Sequence, residues 1–292
     1  MIEKLKASLI AMLPQHLISR LIYRISRCRV PFVKNNLIRL YLGLFDIDLK
    51  DARESNPYAY ASWNAFFTRA LNEDARPIDP DEDSIVSPVD GTISQLGYLE
   101  QGSILQAKGH YYSVETLVGN AELGERFHNG AFITVYLSPQ DYHRIHMPCN
   151  GKLERMLHVP GRLFSVAPHT VNNIEGIFAR NERVNSLFGT QQGPMFLSLV
   201  GAINVGAIET CWAGLVTPPA GKVLTDIAYG GEDAISMNKG QEMGRFNLGS
   251  TIILIFPQDT AQWIEQLKPG DRVLMGHFLP PNPILESFIR IH

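Results

Sequence analysis

Cysteine is too scarce and too scattered to organise this chain. Only Cys28, Cys149 and Cys211 occur among 292 residues, and an odd number at such spacings supports neither a disulfide framework nor a thiolate zinc site. A reducing, cytosolic setting is therefore expected. No run of about 18 apolar residues occurs, so no segment reads as a bilayer-spanning helix. The opening "MIEKLKASLIAMLPQH" sets lysines before an apolar stretch as a secretory signal does, but it lacks a small-x-small cleavage site and leads into another basic segment. No tandem repeat of roughly 20 to 50 residues is evident.

What is present is an uneven charge. Residues 1 to 40 hold eight Lys or Arg against the single acid Glu3, whereas the remaining residues carry 18 basic and 28 acidic side chains. Such asymmetry points to a negatively charged partner for the N-terminus. Leu17, Ile18, Leu21, Ile22 and Ile25 recur at helical spacing, with Arg20, Arg24 and Arg27 on the other face. This basic amphipathic helix suits a membrane surface, or else a helical cap whose charges are merely solvated. Basic residues interleaved with aromatics at strand spacing are absent, which argues against nucleic acid. Pro14 and Pro31 punctuate the region, and a further helix is expected near residues 35 to 44.

A second helical patch, "PYAYASWNAFFTRAL", ends in the charged stretch "NEDARPIDPDED". Beyond it short β-branched runs alternate with Gly, Pro, Asn and Asp. The expected fold class is α+β, with N-terminal amphipathic helices over residues 1 to 75 and a predominantly β catalytic domain over residues 84 to 292. The aromatics Trp63, Phe66 and Phe67 suit either that domain's core or a membrane-facing surface.

Three places could carry chemistry. Asp90 lies in "SPVDGTI", where Pro88 and Gly91 favour a turn that leaves the carboxylate at the mouth of a strand. His143 and His146 share the proline-bracketed "LSPQDYHRIHMP"; three apart, they could face one way in a helical turn and serve proton transfer or a metal. No acid-and-histidine set of the usual spacing completes a metal site, so none is expected. Ser250 follows Gly249 in "RFNLGSTIILIF", directly before a long apolar run. Together an acid, a histidine and a serine supply an orienting carboxylate, a base and a nucleophile, yet "NLGST" is not the G-x-S-x-G elbow of α/β-hydrolases.

The combination "SPVDG", "LSPQDYHRIHMP", "PGRLFSV", "FARNERV" and "GRFNLGSTIIL" closely resembles bacterial phosphatidylserine decarboxylase proenzymes, over nearly the full chain. The resemblance implies self-cleavage between Gly249 and Ser250 into a β chain of residues 1 to 249 and an α chain of residues 250 to 292. Ser250 Oγ would attack the Gly249 carbonyl, and after elimination residue 250 would become a covalent pyruvoyl cofactor, the electron sink for decarboxylation. By the same resemblance Asp90 and His146 would activate Ser250, and His143 would protonate the substrate carbon or position its carboxylate. The two histidines' roles are less firmly divided than their joint involvement. The implied partner is phosphatidylserine in an anionic membrane surface, and the implied location is peripheral, on the cytoplasmic face of the cell membrane. The oligomeric state stays open, a homodimer included.

Two other readings compete. A membrane-docked binding protein would leave the chain uncut. A lipoyl- or biotinyl-type carrier, loosely suggested by "SPVDGTISQLG", would need a lysine at a hairpin tip, and none follows at suitable spacing.

Overall fold

The structure, a computed structural model, describes residues 14–203, 207–218, 222–247, 251–257, 264 and 266–279. Gly249 and Ser250 lie outside the described residues, as do residues 1–13 and the last 13 positions. Helix α1 spans Gln15–Ser26 and α2 spans Pro31–Leu44. The second starts earlier than the expected residue 35 because Pro31 occupies its first turn, where a missing N–H costs nothing and a fixed φ suits the helix. Of the "PYAYASWNAFFTRAL" patch only Trp63–Phe67 forms an α-helix, α3, capped by the Ser62 side chain accepting from the Ala65 N–H.

Strands follow: β1 Gly91–Tyr98, β2 Ser103–Ala107, β3 His110–Ser113, β4 Gly130–Tyr136 and β5 Arg144–His146. Next come β6 Gly151–Val159, β7 Arg183–Thr190, β8 Gly193–Val200, β9 Ile208–Thr210 and β10 Gly214–Thr217. The last are β11 Thr225–Ala228, β12 Ile235–Met237, β13 Glu242–Phe246, β14 Thr251–Pro257 and β15 Arg272–Val273. The described helices after the linker are short, as in Val114–Val118 and Ile177–Arg180, so the α+β class holds.

The main sheet runs β11-β6-β7-β8-β14-β4-β1-β15, with β12 also on β6, and a smaller sheet runs β10-β9-β13-β5. Strand β14 lies between β8 and β4, with Thr251 opposite both Val200 and Tyr136. Its side chains alternate between two cores: Ile252, Leu254 and Phe256 enter one, Ile253 and Ile255 the other. Both faces are therefore covered, which is why "TIILIF" is apolar throughout. Each such side chain contributes about 1.5–3 kcal/mol by burial.

A third core joins α2 to α3 through Ile38, Tyr41, Trp63, Phe66 and Phe67, so the three aromatics pack inward. Helix α1 does the reverse. Its buried residues are Gln15, Ser19 and Ser26, whereas Leu17, Leu21 and Ile25 are 61%, 59% and 42% exposed. Polar anchors explain the inversion, since Gln15 Oε1 accepts from the Leu163 N–H and His16 bonds to the Gly161 carbonyl. Phe32, Leu40 and Leu44 of α2 are exposed as well.

Candidate active site

Asp90 stands where the sequence puts it, directly before β1. Gly91 makes that position: a Cβ there would lie 2.5 Å from Val135 Cγ1 and 2.7 Å from the Tyr136 carbonyl oxygen, so only glycine lets β1 meet β4 this closely. The buried carboxylate takes a fork from Arg76, with Nη2 at 2.7 Å from Oδ2 and Nε at 3.1 Å from Oδ1, and accepts the Met275 N–H at 2.9 Å. Arg76 also reaches Asp51 at 2.9 Å. Arg76 was not singled out from the sequence, being one cation in an acidic linker; its only signal is that it is the linker's sole arginine between two acidic clusters.

His146 lies on β5 and His143 just before it. The helical-turn expectation fails, because residues 144–146 pair with β13, and in a strand positions three apart point to opposite faces. The two rings accordingly have different surroundings. His146 Nδ1 donates to the Gly240 carbonyl at 2.8 Å; a carbonyl only accepts, so the proton is on Nδ1 and the Nε2 lone pair takes the Tyr142 hydroxyl at 3.1 Å. Burial lowers the His146 pKa, with the Gly240 hydrogen bond and the Glu242 and Asp90 charges acting the other way. Burial raises that of Tyr142, which keeps its proton. The His146 N–H also donates to the Pro88 carbonyl at 2.9 Å, tying β5 to the Asp90 turn.

His143 Nδ1 donates to the Asp141 carbonyl at 2.8 Å, and its ring packs on Phe67 with centroids 4.0 Å apart. Full burial pushes its pKa down to about 3. It is therefore neutral, and its Nε2 is buried with no hydrogen-bond partner among the described residues. Between Asp90 and either imidazole no hydrogen bond forms among the described residues; Asp90 acts on both rings through its charge.

The flanks of the Gly249-Ser250 position are firmly held. The Phe246 N–H donates to the His143 carbonyl at 3.0 Å, and Asn247 Oδ1 accepts from Asn64 at 2.9 Å. On the other side Thr251 is buried, and its Oγ1 has no partner among the described residues. Two clefts meet at Tyr136 and Val166. One, of about 340 Å³, lies between the N-terminal helices and the sheet and includes Ile22, Phe45 and Phe67 in its walls. The other, of about 230 Å³, is lined by Thr251, Thr92 and Phe178 among others, with no charged side chain among the described residues. Among the described residues no three His, Cys, Asp or Glu side chains converge as metal ligands.

Comparison with known proteins gives this constellation a context. Residues 63–279 match the family model described as phosphatidylserine decarboxylase. The chain belongs to the phosphatidylserine decarboxylase family. As a member it is a carboxy-lyase. A second model, described as PSD, matches residues 5–46. A phosphatidylserine decarboxylase proenzyme of Alkalilimnicola ehrlichii is 52% identical over 255 residues, covering 87% of this chain and 88% of that relative. Those of Nitrosococcus oceani and Stutzerimonas stutzeri are 53% and 52% identical, each covering 91% of this chain and 87% and 91% of their own lengths. The phosphatidylserine decarboxylase match begins at α3, so the residues supplying Phe67 and Arg76 fall inside it.

Proposed function

We propose that the chain is the precursor of an enzyme that converts phosphatidylserine to phosphatidylethanolamine and CO2, using a pyruvoyl group made when it cuts itself between Gly249 and Ser250. Family membership supports the reaction, and one observation carries the chemistry: His143, a neutral, fully buried imidazole with a bare Nε2, on the segment that hydrogen-bonds the strand leading to residue 249. In the cut, the Ser250 Oγ–H proton passes to His146 as Oγ bonds to the Gly249 carbonyl carbon. His146 hands that proton to the nitrogen of residue 250 as the Gly249–Ser250 C–N bond breaks, leaving an ester and a free amine. Asp90 supplies a nearby negative charge that favours the protonated base. Elimination across Cα–Cβ of the resulting ester releases Gly249 as a carboxylate. Water then replaces the nitrogen of residue 250, ammonia leaves, and a pyruvoyl group begins the α chain.

The neighbours fit such a group. Among the described residues neither cleft is lined by a lysine that would compete with the substrate amine, and Thr251 Oγ1, unpartnered among them, is a donor for a carbonyl oxygen next to position 250. Once formed, the group supplies a carbonyl that takes up the substrate amine and draws away the electron pair left when CO2 departs. His143 Nε2, held neutral, accepts a hydrogen bond from the substrate amine, and passes that proton to the substrate carbon as CO2 leaves without resting in the protonated form. Water has little access, because Phe67 covers the ring.

Docking at the membrane surface suits the substrate, an anionic lipid that stays in the bilayer, and we propose the cytoplasmic face for it. The outward Leu17, Leu21 and Ile25, flanked by exposed Arg20 and Arg24, present apolar area and positive charge together. Among the described residues no helix is long and apolar enough to cross a membrane.

Intact mass of active protein is the test. Two chains split at Gly249-Ser250, the smaller without a free N-terminal amine, are expected, with Ser250→Ala leaving one uncut, inactive chain. A single full-length species with full activity would overturn the proposal.

A further inference from the structure

Arg69 carries a charge that the described residues leave without a counter-ion. It is 5% exposed. Nη2 donates to the Gln140 carbonyl at 3.1 Å, but Nε and Nη1 are buried with no hydrogen-bond partner. The two carboxylates whose charge reaches it, Asp90 and Asp141, are both engaged elsewhere. Asp90 is taken by Arg76 and the Met275 N–H; Asp141 accepts from the Ser138 N–H and hydroxyl and from Arg272. A buried guanidinium so placed is costly, and an anion supplied by a ligand removes the cost.

Its location says which ligand. Residues 67–69 lie along residues 140–144: the Phe67 ring sits on His143, the Thr68 carbonyl accepts Arg144 Nε at 3.0 Å, and Arg69 reaches Gln140. The same seam therefore holds unpartnered N–H donors on Arg69 and an unpartnered lone pair on His143. A ligand with an anion and a protonated amine a few bonds apart satisfies both.

We propose that Arg69 binds the phosphodiester of the substrate headgroup while His143 Nε2 faces its amine. This rests on the lipid substrate proposed above, whose headgroup also contains a carboxylate. The carboxylate is the poorer partner for Arg69, because a cation there stabilises a charge that must vanish as CO2 leaves, whereas the phosphodiester keeps its charge through the reaction. Arginine suits the task, with a permanent charge and a planar fork matched to phosphate oxygens.

The Ser250→Ala precursor allows a test independent of turnover. Titration calorimetry with glycerophosphoethanolamine, which has the phosphodiester and amine but no carboxylate, should show binding that weakens about 10- to 100-fold in Arg69→Gln and less in Arg69→Lys. Serine affinity should not change. The thermal midpoint of Arg69→Gln should equal or exceed that of its parent, since an unpaired buried charge is removed; a structural arginine would lower it. Absence of binding by the precursor, equal affinity in Arg69→Gln, a loss confined to serine, a lowered midpoint, or inorganic phosphate binding as tightly as glycerophosphoethanolamine each overturns the assignment. Failure of self-cleavage would show instead as an intact, active wild-type chain, whatever the calorimetry gives.

Discussion

Two corners of the site, joined by the hydrogen bond from His146 to Pro88, are built on opposite principles. Around Asp90 every charge is matched: Arg76 forks onto the carboxylate, Met275 donates to it, and Asp51 holds the other side of Arg76. Around His143 the buried Nε2 and Arg69 Nε and Nη1 have no partner among the described residues. Each such atom costs about 1–3 kcal/mol, which natural folds seldom tolerate without use. The satisfied corner holds shape. The unsatisfied one is completed by what it binds.

The contrast breaks most visibly at His143. If its ring serves turnover and not the cut, His143→Ala should still yield two chains, while kcat on vesicles drops by about 10²- to 10⁴-fold. Gel analysis and CO2 release on one preparation read both outcomes. An uncut His143→Ala chain would place both histidines in the cleavage step.

The satisfied corner should respond in stability. On a Ser250→Ala background, Asp90→Asn leaves the Arg76 charge with Asp51 alone and should cost about 3 kcal/mol in urea unfolding. With Ser250 restored, Asp90→Asn and His146→Ala should both remain uncut. An unchanged unfolding midpoint for Asp90→Asn would show that Arg76 does not depend on it.

Much of this was legible in the residues. Pro88 and Gly91 place Asp90 at a strand mouth because turn chemistry is local, and the apolar run after Thr251 reads as a strand. Only the pairing with β4 and β8 and the two cores show that both its faces are covered. The rest depends on distant partners. An i, i+3 histidine pair looks alike in a helix and in a strand until the β5–β13 pairing is seen. Helical spacing reveals the Leu17–Ile25 stripe but not its direction, which Gln15 and His16 set through residues 161 and 163. Arg69 and Arg76 read as ordinary surface cations until burial shows one paired and the other not.

The smallest effect is a slope. His143 is held neutral in the fold, with its pKa near 3, but takes up a proton near pH 6.5 once the chain unfolds. Between those values the unfolded state binds more protons, so stability falls as pH falls. The contribution is intact above about pH 6.5 and declines by about 1.4 kcal/mol per pH unit below it. Carboxylates titrate in the same range, so the useful quantity is a difference. Urea unfolding of the Ser250→Ala precursor at pH 7, 5.5 and 4.5 should lose stability more steeply than the same protein with His143→Gln, whose amide takes no proton. Parallel slopes would mean that His143 is not kept neutral, and the distinction between a paired corner and a waiting one would then rest on Arg69 alone.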